Sequence, residues 1–343
     1  MTATLDTVRA ARSLRHRRRA RGLAVMAGLI LAGFALTLSL GQSLTPPGHV
    51  LRVLMGQDVP GASFTVGQLR LPRAVLSILA GLCFGMGGAA FQVMLRNPLA
   101  SPDIIGITWG ASAAAVLAIV FLGMTGPGVA VLAVAAGLGV ALAIYGLAWR
   151  GGVAGTRLIL IGIGTAAMLQ SVVAYALARA PAWDLQQAMR WLTGSVNGAQ
   201  LSQAAPLALT LALAGGMLLA RARDLETLRM GDDTAAALGV RVGATRVAVT
   251  LAAVGLIAVA TAFTGPIAFV AFLSGPIAAR VMGGTGSILL PAGLVGALLV
   301  LAGDYCGQFL MPGRYPVGVV TGALGAPYLI YLIIRVNRSG GSL

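Results

Sequence analysis

The chain alternates long apolar runs with short polar interruptions, and within each run the apolar residues are continuous rather than alternating. A membrane-crossing helix needs about 20 such residues, whereas a membrane strand would read as every second residue apolar. The pattern therefore predicts an all-α polytopic membrane protein of about ten transmembrane helices. The first covers Leu23 to Leu40, followed by a polar, Gly/Pro-punctuated outside loop at 41–69. The second starts at Arg70 and Arg73, which flank Pro72, and ends at Arg96-Asn97-Pro98. Ser101-Pro102-Asp103 starts a return helix through residue 122. Further spans are expected at 129–149, turning at Arg150-Gly151-Gly152, at 158–177 and at 204–220. Between the last two, the outer segment 179–203 carries Trp183 and Trp191 and reads as an interfacial helix with an aromatic anchor. A seventh span begins near Arg246, a ninth covers 289–308 and a tenth 316–335. Gly265-Pro266 and Gly275-Pro276 are each expected to break the helix, leaving a short eighth that ends at Arg280. Broken helices at membrane depth survive only where protein or a water-filled cavity satisfies the freed backbone.

One polar island stands apart. Asp224 to Gly243 holds Asp224, Glu226, Asp232 and Asp233, four of the nine acidic residues in the chain, and its only glutamate. Gly231 is expected to break the chain, and Asp232 or Asp233 to cap a new short helix over Thr234–Leu238. Gly239 ends that helix from a C-cap position. The island thus predicts two short helices outside the membrane, presenting small side chains that another protein could grip. The competing reading is an ordinary hydrophilic loop.

Composition narrows the class. Hydrophobic residues make up 58% and charged residues 10% of the 343, against roughly 25% charged in a soluble domain. The chain cannot cover itself with a hydrated surface. Its net charge of +15 is carried by arginine alone, since no lysine occurs. Arg9, Arg12, Arg15, Arg17, Arg18, Arg19 and Arg21 precede the first span, which is longer than a signal-peptide core and lacks an A-x-A site after it. They are expected to hold a cytoplasmic tail at 1–22, ahead of a single transmembrane domain at 23–338. On this topology 18 of the 24 arginines lie inside and six outside, the positive-inside pattern. Nucleic-acid binding is thereby excluded as the meaning of the charge.

Arg70 and Arg73 fall outside, against that bias, as interfacial anchors or as a docking site for an acidic partner. Gly81, Gly85, Gly87 and Gly88 mark a face for close helix approach. Cys83 and Cys306 sit in apolar runs as small core residues, and with only His16 and His49 no metal cluster can be assembled. No cofactor is indicated, and no phosphate-binding loop can be written without a lysine. An ion-coupled secondary transporter would want ionisable residues within spans, and only Asp304 qualifies.

Five segments carry a resemblance: RLPR at 70–73, RNPLASPDIIGI at 96–107, GDDTAAALGVRV at 231–242, GPIAFVAF at 265–272 and YPVGVVTGALGAP at 315–327. In this order and spacing, the chain resembles the FecCD family, permease subunits of binding-protein-dependent ABC importers for iron–siderophores, haem and cobalamin. The resemblance implies a bacterial cytoplasmic (inner) membrane protein with its N-terminus in the cytoplasm. It also implies a homodimer or heterodimer of ten-helix subunits, two ATP-binding subunits, and a substrate-binding lipoprotein or periplasmic protein. Hydrolysis would belong to the partner ATPase. By resemblance, Gly231, Asp232, Asp233, Ala236, Leu238 and Gly239 in the coupling segment 224–243 meet the ATPase, and Arg70 and Arg73 meet acidic residues of the binding protein. The chain departs from the family at Gly275-Pro276, where many members have Pro-His, at Gln308 in place of an arginine, and at Arg314 in place of an acid. Absence of Pro-His together with FVAF looks more like catecholate-siderophore permeases than cobalamin ones.

Overall fold

In a computed structural model of the chain, residues 2–101, 106–148, 155–283 and 286–338 are described. Pro102, Asp103 and the expected turn at Arg150-Gly151-Gly152 lie outside the described residues. Among the described residues every regular element is helical. Seven helices are long and apolar enough to cross a membrane: α1 (Thr2–Ser39), α3 (Ser63–Met94), α5 (Pro127–Ala148), α6 (Gly155–Arg179), α8 (Leu201–Ala220), α11 (Val242–Thr264) and α13 (Leu289–Leu310). Three apolar helices are shorter: α4 (Ile107–Leu122), α12 (Val270–Met282) and the Val317–Leu332 part of α14 (Val317–Arg338). The 16 residues of α4 make a rod of about 24 Å, less than the hydrocarbon core of about 30 Å. The remaining helices are short: α2 (Pro47–Leu54), α7 (Ala182–Thr193), α9 (Ala222–Leu228) and α10 (Asp232–Ala237).

The helices sort into a core and a rim. In their most apolar stretches, 78% of the residues of α3, 67% of α11 and 61% of α13 are buried, against no more than 28% for α1, α5, α6 and α8. Lipid tails are as apolar as leucine, so such helices come together through close packing rather than through hydrophobicity. The sequence provides this with small residues. A side chain at Gly81 would collide with the backbone of Gly296 and Ala297 on α13, one at Gly85 with Ala292, and one at Gly88 with Ala271 of α12. α3 therefore touches α13 and α12 backbone to backbone, and becomes the axis on which the other elements are hung.

Four local expectations are corrected. α1 does not start at the apolar run but is helical from Thr2, through the arginines, to Ser39. The segment 41–69 is not all loop: it contains α2, and Ser63–Arg70 is a wide π-helical turn leading into Leu71. There the Leu71 amide donates to Val66 O, five residues back, just ahead of Pro72, which has no amide to donate. Asp232 and Asp233 do not cap α10; Gly231 occupies that position without a side-chain cap, and the two acids fill the first turn. They stand where negative charge meets the positive end of the helix dipole.

The fourth concerns the paired Gly-Pro steps. Gly265-Pro266 does break the helix: α11 stops at Thr264, and α12 starts only at Val270. Gly275-Pro276 does not, because Pro276 lies inside α12. A proline there leaves the carbonyl four residues back, that of Phe272, without its helical donor. Gln92 Nε2 of α3 donates to Phe272 O at 2.9 Å and takes its place. Gly275 makes room for this, since a side chain at that position would collide with the Gln92 amide.

Candidate functional site

The polar segment 224–243 is built from two helices tied to the bundle by one face. In α9, Leu225 and Leu228 are buried. Asp224 Oδ2 accepts from Arg221 Nη1 at 3.2 Å and from Thr245 Oγ1 of α11 at 3.4 Å. The chain then turns at Gly231, whose φ of 110° lies in the region that favours glycine. In α10 only Ala235 is buried, while Asp233, Thr234, Ala236 and Ala237 face outward, followed by Leu238 and Gly239. Leu238 is 63% exposed and Met230, before the turn, 60%. Two apolar side chains thus flank a surface of alanines and glycine that no other part of the described chain covers.

The end of α10 is fixed by backbone geometry. Gly239 N donates to Ala236 O at 2.9 Å and Val240 N to Ala235 O at 3.0 Å, with Gly239 at φ 87°. These two bonds make a Schellman motif, with glycine at its left-handed position. The expected glycine C-cap is in place.

Asp232 fastens the start of α10. Its Oδ1 accepts from Arg96 Nη2 at 3.0 Å, and its Oδ2 lies 2.9 Å from Arg246 Nη2. Arg96 belongs to the turn after α3 and Arg246 to the first turns of α11, so one carboxylate joins three segments. Arg96 holds φ 54°, unusual for a non-glycine residue, and Asn97 Oδ1 accepts from Leu99 N at 2.8 Å to fix the same turn. Arg96 and Asp232 are 42% and 38% exposed, so each pair contributes below about 1 kcal/mol. Their effect is on position rather than stability. Neither Arg96 nor Arg246 was marked for this by the sequence, since they lie 136 and 14 residues from Asp232 with no local pattern linking them.

Arg70 and Arg73 sit at the opposite end of α3, and both guanidinium groups are engaged within the chain. Arg70 is 8% exposed and donates to Leu38 O at 2.8 Å, Ser43 O at 2.8 Å, Ser39 O at 3.2 Å and Thr45 Oγ1 at 3.2 Å. It staples the turn after α1. Arg73 meets Asp304 of α13 with two parallel bonds, Nη2 to Oδ1 at 2.6 Å and Nε to Oδ2 at 2.5 Å. This is the two-point fork that suits guanidinium to carboxylate.

Near the break at Gly265, three backbones meet. A side chain at Gly265 would strike Trp191 O, one at Gly194 Pro266 O, and one at Gly318 Thr193 O. Ser195 N donates to Thr264 O at 2.6 Å and Gly318 N to Gly194 O at 3.1 Å, so the broken helix finds partners in the end of α7 and the start of α14. Phe269 closes the gap at φ 63°. Sequence reading identified Gly265 but gave Gly194 and Gly318 no role.

Residues 29–335 match the model of the FecCD transport family. The chain is 40% identical over 294 residues to the ferric enterobactin transport system permease protein FepG of Escherichia coli (strain K12), covering 84% of this chain and 88% of that one. It is 41% identical over 311 residues to the achromobactin transport system permease protein CbrC of Dickeya dadantii (strain 3937), covering 90% and 89%. Its fold is similar, at a TM-score of 0.81 and 25% identity, to an inward-facing conformation of an ABC transporter assigned to the metal-chelate type, covering 91% of this chain and 98% of that one.

Proposed function

The chain belongs to the FecCD transport family, and on that premise we propose that it is the permease subunit of an ABC importer that moves a ferric siderophore, of the catecholate class, into the cytoplasm. On this proposal the three shorter apolar helices join the seven long ones to complete ten spans. The tail at 1–22 and the segment 224–243 face the cytoplasm, and Arg70, Arg73 and Asp304 face outward. Two such subunits, alike or paired with a sister permease, enclose the pathway. Two ATP-binding subunits sit beneath it, and a binding protein delivers the chelate from outside.

The observation that carries this reading is the surface of α10. Ala236, Leu238 and Gly239 are exposed beside Met230, while Asp232 locks the same helix to Arg96 and Arg246. A docking helix needs that combination: small side chains outward for a close fit, and stiff links inward. Asp232 connects the ATPase surface to the cytoplasmic end of α3, and Arg73–Asp304 closes the outer end of the same rod, about 35 Å away at 1.5 Å per residue. The outer arginines position the docking face for the binding protein.

The reading supports an ATP-driven rather than ion-driven transporter in one further respect. Asp304, the acidic residue buried within a span, is held by Arg73, whereas a carboxylate that carries protons or sodium must exchange its partner. The catecholate class rests on the FVAF stretch without Pro-His and on the relative named for ferric enterobactin, while the achromobactin relative supports a siderophore cargo more broadly. Uptake of radiolabelled chelates into vesicles holding the full complex tests the proposal. Uptake should require ATP and the ATPase subunit, and iron bound to a catecholate chelator should be preferred over haem or cobalamin. Uptake driven by an ion gradient alone contradicts it.

A further inference from the structure

We propose that the arginine-rich part of α1 is a binding site for anionic phospholipids of the cytoplasmic leaflet. The proposal rests on the orientation given above, with the N-terminus inside. Arg12, Arg15, Arg17, Arg18 and Arg21 are exposed, and Arg19 is partly covered. Asp6 is the one acidic residue before Asp58, so a single carboxylate in sequence stands against the seven arginines from Arg9 to Arg21.

The site is ordered by helix and bundle together. The arginines continue the membrane helix without interruption, in α1 from Thr2 to Ser39. Where they meet the bundle, Arg19 Nη2 donates to Ser287 O at 2.6 Å, and Gly22 lies against the Met282 side chain, where an added side chain would collide. The rod is thus held on the turn between α12 and α13, and its charges stay at a fixed depth. Arg12 to Arg21 spans about 14 Å at 1.5 Å per residue. The headgroup layer is about 5–8 Å thick, and screening at physiological salt extends about 8 Å beyond it. All six arginines therefore lie within reach of lipid phosphates.

Their distribution favours lipid over an acidic protein surface. At 100° per residue the six spread over about 220° of the helix surface rather than along one stripe. A protein partner would cover one face, whereas headgroups surround a rod that passes through them. For the same reason the segment has no apolar face with which to lie flat in the interface. Clusters of four to eight basic residues just inside a membrane helix attract anionic lipid, by roughly a fivefold gain in affinity for each arginine near the surface. Because Arg19 also holds the α12–α13 turn, lipid charge bears directly on that part of the bundle.

The test compares the full-length chain with a variant carrying Arg15→Gln, Arg17→Gln, Arg18→Gln and Arg21→Gln, which keeps Arg9, Arg12 and Arg19. Both are reconstituted in vesicles of equal phosphatidylcholine and phosphatidylglycerol, and the lipids retained are counted by native mass spectrometry. Wild type should retain phosphatidylglycerol preferentially and unfold at a higher temperature as its fraction rises. The variant should lose at least tenfold of that preference, and the temperature shift with it. Equal retention by both overturns the proposal, as does a variant that keeps its lipids but no longer holds the ATP-binding subunit. Labelling of His16→Cys in a cysteine-free background, with an impermeant maleimide before and after permeabilisation, checks the orientation separately. Labelling from outside would sink the orientation, whatever the lipid result.

Discussion

Arg73 and Asp304, 231 residues apart in the chain, meet in a two-point ion pair that fastens the start of α3 to the outer part of α13, with the carboxylate side chain only 4% exposed. Such a pair is costly to halve. Arg73→Met should destabilise the protein by about 3–5 kcal/mol, because it leaves a buried carboxylate without its partner. The double variant Arg73→Met with Asp304→Leu should recover much of that loss. A double-mutant cycle by thermal unfolding in detergent checks both, and additive losses would show that the pair does not act as a unit.

Pro276 survives inside α12 because Gln92 takes the carbonyl it frees. Gln92→Leu should cost about 1–3 kcal/mol, the penalty for a buried carbonyl with no donor. In a Pro276→Ala background the helix regains its own amide, and the same substitution should cost less. Unfolding of the four proteins measures the coupling, and an unchanged penalty would mean that Gln92 acts only through packing.

These two sites show what could be read from the chain and what could not. Apolar runs and the glycines of α3 are local signals with a physical period, and they led to an all-helical fold with several helices long and apolar enough to cross a membrane. Gly265-Pro266 was legible as a break because glycine and proline act on their own backbone. Gly275-Pro276 carries the same letters but stays helical, and the reason lies at Gln92, 180 residues from the carbonyl it serves. The only local hint was one polar amide in an otherwise apolar run. Asp232 misled for the same reason. Its spacing fitted a cap, while Arg96 and Arg246, which claim its carboxylate, are adjacent only in the fold. Arg70 was legible as an outer arginine, but not as the clasp of the turn at 39–45.

Close packing of α3 on α13 gives a third expectation. Gly85→Leu places a branched side chain where backbone already stands, and overpacking a core site typically costs about 1–3 kcal/mol or more. Gly139→Leu, on α5 with open space around it, should be tolerated. Comparison of folded yield after extraction, by size-exclusion profile, tests this, and equal yields would contradict the central place given to α3.

For the outer face, Glu at both Arg70 and Arg73 should weaken docking of the binding protein at low and high salt alike, since both guanidinium groups are engaged within the chain and act by holding the docking face in place. Arg70→Lys keeps the charge but not the guanidinium's several bonds, so it should loosen the turn at 39–45 and weaken docking with it. Binding is measured at two ionic strengths on variants first shown to insert and remain folded. Unchanged docking by a folded double Glu variant would remove both arginines from this role.

The most direct measurement concerns α10. Ala236→Trp adds bulk at an exposed position, so the isolated permease should insert and fold as before. Gly239→Val forces a branched residue into a left-handed cap, at about 1–2 kcal/mol, and redirects the chain toward α11. In vesicles carrying the complete transporter, ATP-subunit retention and iron-chelate uptake are followed side by side for the Ala236→Trp protein. If α10 is the helix that the ATPase grips, the variant loses the subunit, or keeps it while hydrolysis no longer drives uptake. Full retention together with full uptake would show that the segment is only a solvated loop and that coupling lies elsewhere.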